Sequence, residues 1–295
     1  MIAVVMEAIA AVCLVNPHQP QAYLIDIFSV PILTGFVVMT AALILLRQRW
    51  AAPLAVLACV MMVVAIAPQA MPQQAAPDRT QAPLRLVFAN LLIRNTTPEK
   101  LVPWVQARKP DIVAMVEADP GSRAALFKAL QTDLPYKVTR YDMVVLSRYP
   151  LSHLRPRPAG FALITVDVAT PQGRLNLAVA HLTRPWPFTA PQDQRRQFAR
   201  LADSLEGSMD ENFVMVGDFN TPPLASGMHD FTRATGLHTA PALRGTWPTF
   251  LPSLLRVTID NAMASRDISL QRRKVGGFDG SDHRPICVDI FRARR

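Results

Sequence analysis

The chain has 295 residues, half of them hydrophobic, and a formal net charge of +9. That length allows one large domain or two small ones. Its three cysteines exclude an intradomain disulfide framework, because Cys13 and Cys59 fall in apolar segments and Cys287 stands alone in the rest of the chain.

Residues 1–70 carry only Glu7, Asp26, Arg47 and Arg49, which balance, so the whole positive excess sits in residues 71–295. A basic water-soluble domain favours anionic partners such as nucleic acid, phospholipid headgroups or phosphorylated small molecules, although a generic basic surface has the same composition. Residues 27–46 form an uncharged stretch long enough to cross a hydrocarbon core of about 30 Å as a helix, and residues 51–67 are a second, shorter one. Residues 1–15 are a third candidate that includes Glu7 and would span only about 22 Å at roughly 1.5 Å rise per residue. A cleaved signal peptide fits less well, since no basic n-region precedes the apolar run and further apolar segments follow at once. Arg47 and Arg49 place the connection between the second and third segments in the cytoplasm by the positive-inside tendency. Three spans then put the N-terminus in the cytoplasm and everything after about residue 68 outside it. The expected protein is multi-pass in the cell (inner) membrane, with an extracytoplasmic domain.

The expected organisation is a membrane anchor over residues 1–67 with about three transmembrane helices, a linker over 68–83 and one domain over 84–295. The linker is rich in Pro, Gln and Ala with almost no large apolar residues, the composition of a semi-extended tether. Beyond it, short apolar runs at 84–90, 111–117, 143–147, 161–168, 175–181, 213–218, 257–263 and 285–291 read as strands. Thr97 and Pro98 begin a helix in the N-cap and N1 arrangement, which Pro110 ends. Phe198, Leu201 and Leu205 give a later helix its apolar stripe, with Arg195 and Arg196 near its start. Several strands are apolar on both faces, which implies sheets packed on each other and covered by helices.

Chemistry-bearing residues gather at the ends of these strands. The run VMVGDFNTPP at 214–223 carries Asp218 and Asn220; GSDHRPICVDI at 280–290 carries Asp282 and His283; Asn90, Glu117, His181 and Asp260 stand singly upstream. Alone, GDFN is a strand leading into an Asx turn and SDHRP a surface loop. Together they supply hard-cation ligands and a proton-transfer group. A phosphate ester resists hydrolysis because its oxygens repel the nucleophile, and a divalent cation relieves that repulsion. Mg²⁺ suits this task with one or two carboxylates, and Mn²⁺ accepts the same oxygen ligands. Glu117, ending its strand, is the best single ligand candidate.

In this order the residues resemble those of the endonuclease/exonuclease/phosphatase (DNase I-like) superfamily over residues 84–291, carried by the GDFN and SDHRP motifs. The resemblance implies a four-layer α/β sandwich of two packed β-sheets flanked by helices, and metal-dependent hydrolysis of a phosphate ester by in-line attack of water. It implies that Asn90, Glu117 and Asp282 serve the metal and that Asp218 orients or deprotonates the water. Asn220 and His181 would bind phosphate oxygens, and His283 would act on the phosphate or in acid/base work, oriented by Asp260. Two positions depart from the family's pattern. Leu91 and Leu92 follow Asn90 where some nucleases carry a second acid, and Asn261 follows Asp260 where His is frequent.

Arg184 and Trp186 in HLTRPWPF (181–188), and Trp247 and Phe250 in TWPTF (246–250), suit base stacking, insertion at a lipid interface, or the packing of rigid loops. The expected function is a membrane-anchored phosphoesterase acting on a lipid-linked ester, because tethering raises the effective concentration of a membrane substrate. The alternatives are an anchored extracytoplasmic nuclease and a non-catalytic phosphate-binding scaffold. No protein partner is inferable.

Overall fold

The computed structural model describes residues 1–16, 19–156, 161–187, 189–206, 209, 212–277 and 280–294. Phe188, the last residue of the HLTRPWPF motif, lies outside them.

Four helices open the chain: α1 (Ile2–Val15), α2 (Pro20–Ile27), α3 (Ser29–Leu45) and α4 (Ala51–Ala70). Of these α4 alone is long and apolar enough to cross a membrane; α1 and α3, at 14 and 17 residues, are shorter apolar helices. The apolar stretch at 27–46 is one helix, α3, over residues 29–45, while Ile27 closes α2. The two helices part at Phe28, because a continuous helix would drive the ring of Pro31 into the carbonyl of residue 27, and Pro31 falls instead in the first turn of α3. Both α1 and α3 pack on α4, where Ala55 and Ala58 allow close approach and Met62 fills the seam with Met6, Ala10 and Phe36. The outward faces leave Val4, Val5, Val37, Val38, Val60 and Val63 exposed.

Residues 72–83 are irregular but do not hang free as a tether. Asp78 N–H donates to the Arg292 carbonyl and Arg294 N–H to the Ala76 carbonyl, each at 2.8 Å. The Gln74 side chain exchanges two 2.9 Å hydrogen bonds with the backbone of Leu270. Glutamine offers two donor hydrogens and two acceptor lone pairs, enough to satisfy the open backbone of an edge strand.

The remainder is a sandwich of two six-stranded sheets. The first contains β1 (Leu84–Asn90), β2 (Ile112–Val116), β3 (Tyr136–Arg140), β4 (Met143–Ser147), β11 (Ile268–Val275) and β12 (Ile286–Arg292), in the order β11-β12-β1-β2-β4-β3. The second contains β5 (Leu151–Ser152), β6 (Ala162–Thr170), β7 (Gly173–His181), β8 (Phe213–Asp218), β9 (His238–Thr239) and β10 (Asp260–Ala264), in the order β5-β6-β7-β8-β10-β9. Alternate side chains divide each strand between two cores. Leu86 and Phe88 of β1 join Val166, Leu177, Val179 and Val216 between the sheets. Val87 and Ala89 face outward onto α5 (Leu101–Arg108) and α6 (Pro120–Leu130) through Leu101, Val105 and Leu126. On the far side α7 (Pro191–Leu205) and α8 (Ser226–Thr235) cover the second sheet with Phe198, Leu201 and Phe231. The result is the expected four layers: helices, sheet, sheet, helices.

The helix begun by Thr97 and Pro98 arrives as one 3-10 turn, Pro98–Lys100, leading into α5; Lys109, in left-handed conformation, ends it before Pro110. Two parallel pairs position the functional residues. β1 pairs with β2, which sets Asn90 beside Val116, and β7 pairs with β8, which sets His181 opposite Asp218. Antiparallel β10 then places Asp260 on the other flank of Asp218.

Gly217 makes that close pairing possible, since a Cβ there would lie 2.1 Å from the carbonyl oxygen of Ala180. Gly217→Ala is expected to destabilise the protein by about 2 kcal/mol or more through forced separation of β7 and β8, checked by chemical denaturation, and to lower activity by displacing His181 from Asp218.

Candidate active site

Asn90 joins the two sheets at the site. Its amide nitrogen donates to Glu117 Oε1 at 2.9 Å and to Asp218 Oδ2 at 3.0 Å, while its own oxygen accepts from the backbone of Leu92 at 3.0 Å. Glu117 follows β2 directly with φ of 53°, a left-handed conformation uncommon for a side-chain-bearing residue. Its second oxygen accepts from the Ile93 N–H at 3.2 Å. Asp218, 1 % exposed at the end of β8, takes a further hydrogen bond from the Asn220 N–H at 2.9 Å. This is the Asx turn that the GDFN motif implies, and Asn220 itself has φ of 51°. One amide hydrogen of Asn220 is committed to the Leu182 carbonyl at 2.9 Å, which ties the loop after β8 to the loop after β7.

Two histidines face the same carboxylate. His283 Nδ1 donates to Asp260 at 3.0 Å, and its Nε2 lies 3.7 Å from Asp218 Oδ2. His181 Nε2 lies 3.7 Å from Glu117 Oε1 and 3.8 Å from Asp218 Oδ2. Ser281, which sequence reasoning passed over, fixes the height of His283: its hydroxyl donates to the Asn90 carbonyl at 2.8 Å and accepts from the His283 N–H at 3.0 Å. The signal was its place in the SDHRP run. Asp282 lines the same cavity, but its carboxylate accepts from the Trp247 indole N–H at 3.0 Å, so it stands apart from the close cluster of Glu117, His181, Asp218, Asp260 and His283. Trp247 is thus bonded into the site, whereas Trp186 and Phe250 are exposed.

Burial raises the Asp218 carboxyl above its ordinary range and Asp260 adds to this, while His283 and His181 oppose it. For His283 burial alone would lower the pKa, but the Asp260 and Asp218 carboxylates outweigh it and push it up to about 10. The imidazolium is therefore the resting form at neutral pH. The site fits a hard divalent cation on its chemistry: Glu117 and Asp218 bring carboxylate oxygens toward one point under a single bridging amide, a set rich in oxygen and free of sulfur.

The cavity over these groups has a volume of about 240 Å³. Its floor is polar, with Glu117, Asp218, Asn220, Asp282 and His283; its sides include Arg184, Trp186, Trp247, Val257 and Ile259; and one wall, which sequence reasoning did not anticipate, is Leu24, Ile27 and Phe28 at the end of α2.

A sandwich of two mixed sheets bearing acids, an amide and a carboxylate-held histidine at one end defines a hydrolase of phosphoester bonds. The chain belongs to the Endonuclease/Exonuclease/phosphatase family, whose sequence profile matches residues 87–283. Among solved structures it is similar to an endonuclease/exonuclease/phosphatase from Beutenbergia cavernae (19 % identity, TM-score 0.56, 72 % of each chain covered). It is similar also to sphingomyelinase C from Streptomyces griseocarneus (15 %, 0.53, 71 % of this chain and 99 % of that one) and to D. rerio TDP2 complexed with a single-strand DNA product (15 %, 0.57, 71 % and 99 %). These likenesses establish the shared fold. No curated protein sequence matches the chain.

The His283 pair carries a pH signature. With a folded pKa near 10 against an ordinary value of 6.5, its stabilisation is fully present below about pH 6.5 and is lost as pH rises through 10. In metal-free protein the Tm gap between wild type and His283→Asn is expected to be constant at low pH and to close between pH 7 and 10, measured by differential scanning fluorimetry.

Proposed function

We propose that this protein is a membrane-anchored, Mg²⁺-dependent phosphoesterase that hydrolyses a lipid-linked phosphate ester on the outer side of the cytoplasmic membrane. The observation that carries this reading is the docking of the apolar helices against loops that leave the catalytic cluster. Asn16 donates to the Leu224 carbonyl at 2.8 Å, and Gln69 bonds the backbone of Ala242 through both its side chain and its carbonyl at 2.9 Å. The Thr34 hydroxyl donates to the Leu254 carbonyl at 3.0 Å. Leu224 lies four residues beyond Asn220, and Leu254 lies in the loop that carries Trp247.

The helix ends at Asn16 and Gln69 therefore sit against the sandwich, and the turn with Arg47 and Arg49 lies at the opposite end of the bundle. With those arginines in the cytoplasm the sandwich is outside. On this reading the exposed valines face lipid, and Phe250 and Leu254, both exposed and in the loop that carries Trp247, lie at the interface. The α1 and α3 helices are short for a span and call for local thinning of the bilayer.

In the reaction Asp218, held in place by the Asn90 amide, accepts a proton from the attacking water. His181 and the remaining amide hydrogen of Asn220 bind phosphate oxygens. His283, kept protonated and oriented by Asp260, donates a hydrogen bond to the oxygen on which negative charge grows. Glu117, with Asn90 and Asp218 beside it, would hold Mg²⁺, which would supply charge neutralisation of the phosphate; Mn²⁺ suits the same oxygen ligands. A second reading, an anchored nuclease, draws on the net charge of +9 and the likeness to a DNA-bound structure.

Full-length protein in lipid nanodiscs is expected to release product from phospholipid or polyprenyl pyrophosphate with Mg²⁺, to lose it in EDTA, and to recover it on Mg²⁺ addition. Asp218→Asn and Glu117→Gln should each lower kcat by roughly 10³-fold. Cleavage of plasmid DNA or RNA with inert lipids would overturn the lipid reading in favour of the nuclease, and silence on every substrate would favour a scaffold.

A further inference from the structure

We infer that α2 is part of the substrate site: Leu24, Ile27 and Phe28 bind the alkyl chain adjoining the scissile phosphate, which makes the N-terminal segment a determinant of specificity for long-chain phosphate esters. This rests on the lipid reading above.

The family match begins at residue 87, so the catalytic sandwich contributes its half of the cavity without α2. That half joins a polar floor of Glu117, Asp218, Asn220 and His283, suited to a phosphate, to aromatic sides and the apolar Val257 and Ile259. The wall from α2 presents only carbon, and with Val257 and Ile259 it forms a dry surface over the same cavity. Such a surface gains nothing from a hydrated anion, but an alkyl chain leaving the phosphate gains on contact with it.

The wall is held firmly in place. Tyr23, one residue before Leu24, is fully buried, and its hydroxyl donates to Gln194 Oε1. Gln194 passes the attachment on, donating to the Phe219 carbonyl at 2.9 Å and the Thr183 carbonyl at 2.7 Å. Phe219 stands between Asp218 and Asn220, and Thr183 lies two residues past His181. The helix is thus bonded to both catalytic loops through one buried glutamine. Gly227 of α8 leaves the space that Tyr23 occupies, since a Cβ there would lie 2.8 Å from the tyrosine oxygen. Directly after the wall, α3 leads into the apolar bundle, so a chain lying along Leu24, Ile27 and Phe28 continues toward the surface that the valines present.

The test uses the full chain in nanodiscs with two pairs of probes: methyl and dodecyl p-nitrophenyl phosphate for diesterase activity, butyl and dodecyl phosphate for monoesterase activity. The readout is the ratio of kcat/KM for the long-chain to the short-chain member of the pair that is hydrolysed. Wild type is expected to favour dodecyl, and Leu24→Ala combined with Ile27→Ala to lower the ratio about tenfold, the scale expected for lost apolar contact. Ile27→Trp, which fills the wall instead of hollowing it, should lower the ratio as well and guards against a variant that simply folds poorly. A wild-type preference for dodecyl that neither variant changes by more than twofold would overturn the role of α2 while leaving the lipid reading intact. Equal rates on both chain lengths, or cleavage of nucleic acid alone, would overturn the lipid reading and this inference with it.

Discussion

The rest of the site depends on one constraint, which is that Asp218 is a carboxylate almost wholly buried, at 1 % exposure. An isolated buried carboxylate would take up a proton and cease to be useful as a base. Everything around it compensates. The Asn90 amide and the Asn220 N–H donate to its two oxygens, and His283 and His181 each hold a ring nitrogen within 4 Å. Asp260 in turn keeps His283 charged. Glu117 adds a further negative charge that the amide alone cannot balance, one that a divalent cation at this site would answer. The left-handed backbone at Glu117 and Asn220 is the local strain this convergence requires, at the two places where a strand must turn its last side chain into the cluster.

The architecture follows from that need. No single strand can present five polar groups to one point, but parallel neighbours end at the same side of a sheet. The β1–β2 pair delivers Asn90 and Glu117 from one sheet, and the β7–β8 pair delivers His181 and Asp218 from the other. Packing the sheets through Phe88, Val179 and Val216 brings the two pairs together. The cost of gathering like charges is offset by apolar burial elsewhere, which is why the strands leading to the site carry hydrophobic side chains on both faces.

Strands of this kind were the most legible in the sequence, because continuous apolar runs such as MVVLS and FVMVGD fit nothing else so well. The strands that escaped are those whose pattern is not apolar. Strand β3 is half solvated and reads YKVTR, β11 reads ISLQRRKV with a bulge at its arginines, and β5 and β9 have only two residues. Nearly all of the polar cluster was visible because its members sit in short motifs at strand ends. What the sequence could not convey was the company each residue keeps. Nothing in SDHRP says that Asp282 turns toward Trp247, or that Ser281 bonds the backbone of Asn90. The α2 wall was hidden for a different reason: Ile27 and Phe28 merged into the start of the apolar stretch at 27–46 while Leu24 fell outside it, beyond Asp26, so nothing marked a separate short helix there.

The positive charge of the domain is ambiguous in the sequence, and the fold narrows what it can mean. Many arginines close to the sandwich are spent on the protein itself. Arg273 is half-buried and donates to the Arg244 and Asp260 carbonyls, and Arg284 and Arg256 brace the loop of Trp247 through the carbonyls of Thr249 and Leu251. Arg85 and Arg272 share Asp289, while Arg155 holds Asp167 and Asn176. A polyanion channel needs a row of cations aimed outward along the path of the backbone, and these guanidinium groups point into carbonyls and carboxylates instead. Among the described residues Arg184 is the arginine that lines the cavity itself, together with Leu24, Ile27 and Phe28. An anionic group over the polar floor with an apolar wall beside it is the arrangement that the lipid reading proposed above draws on.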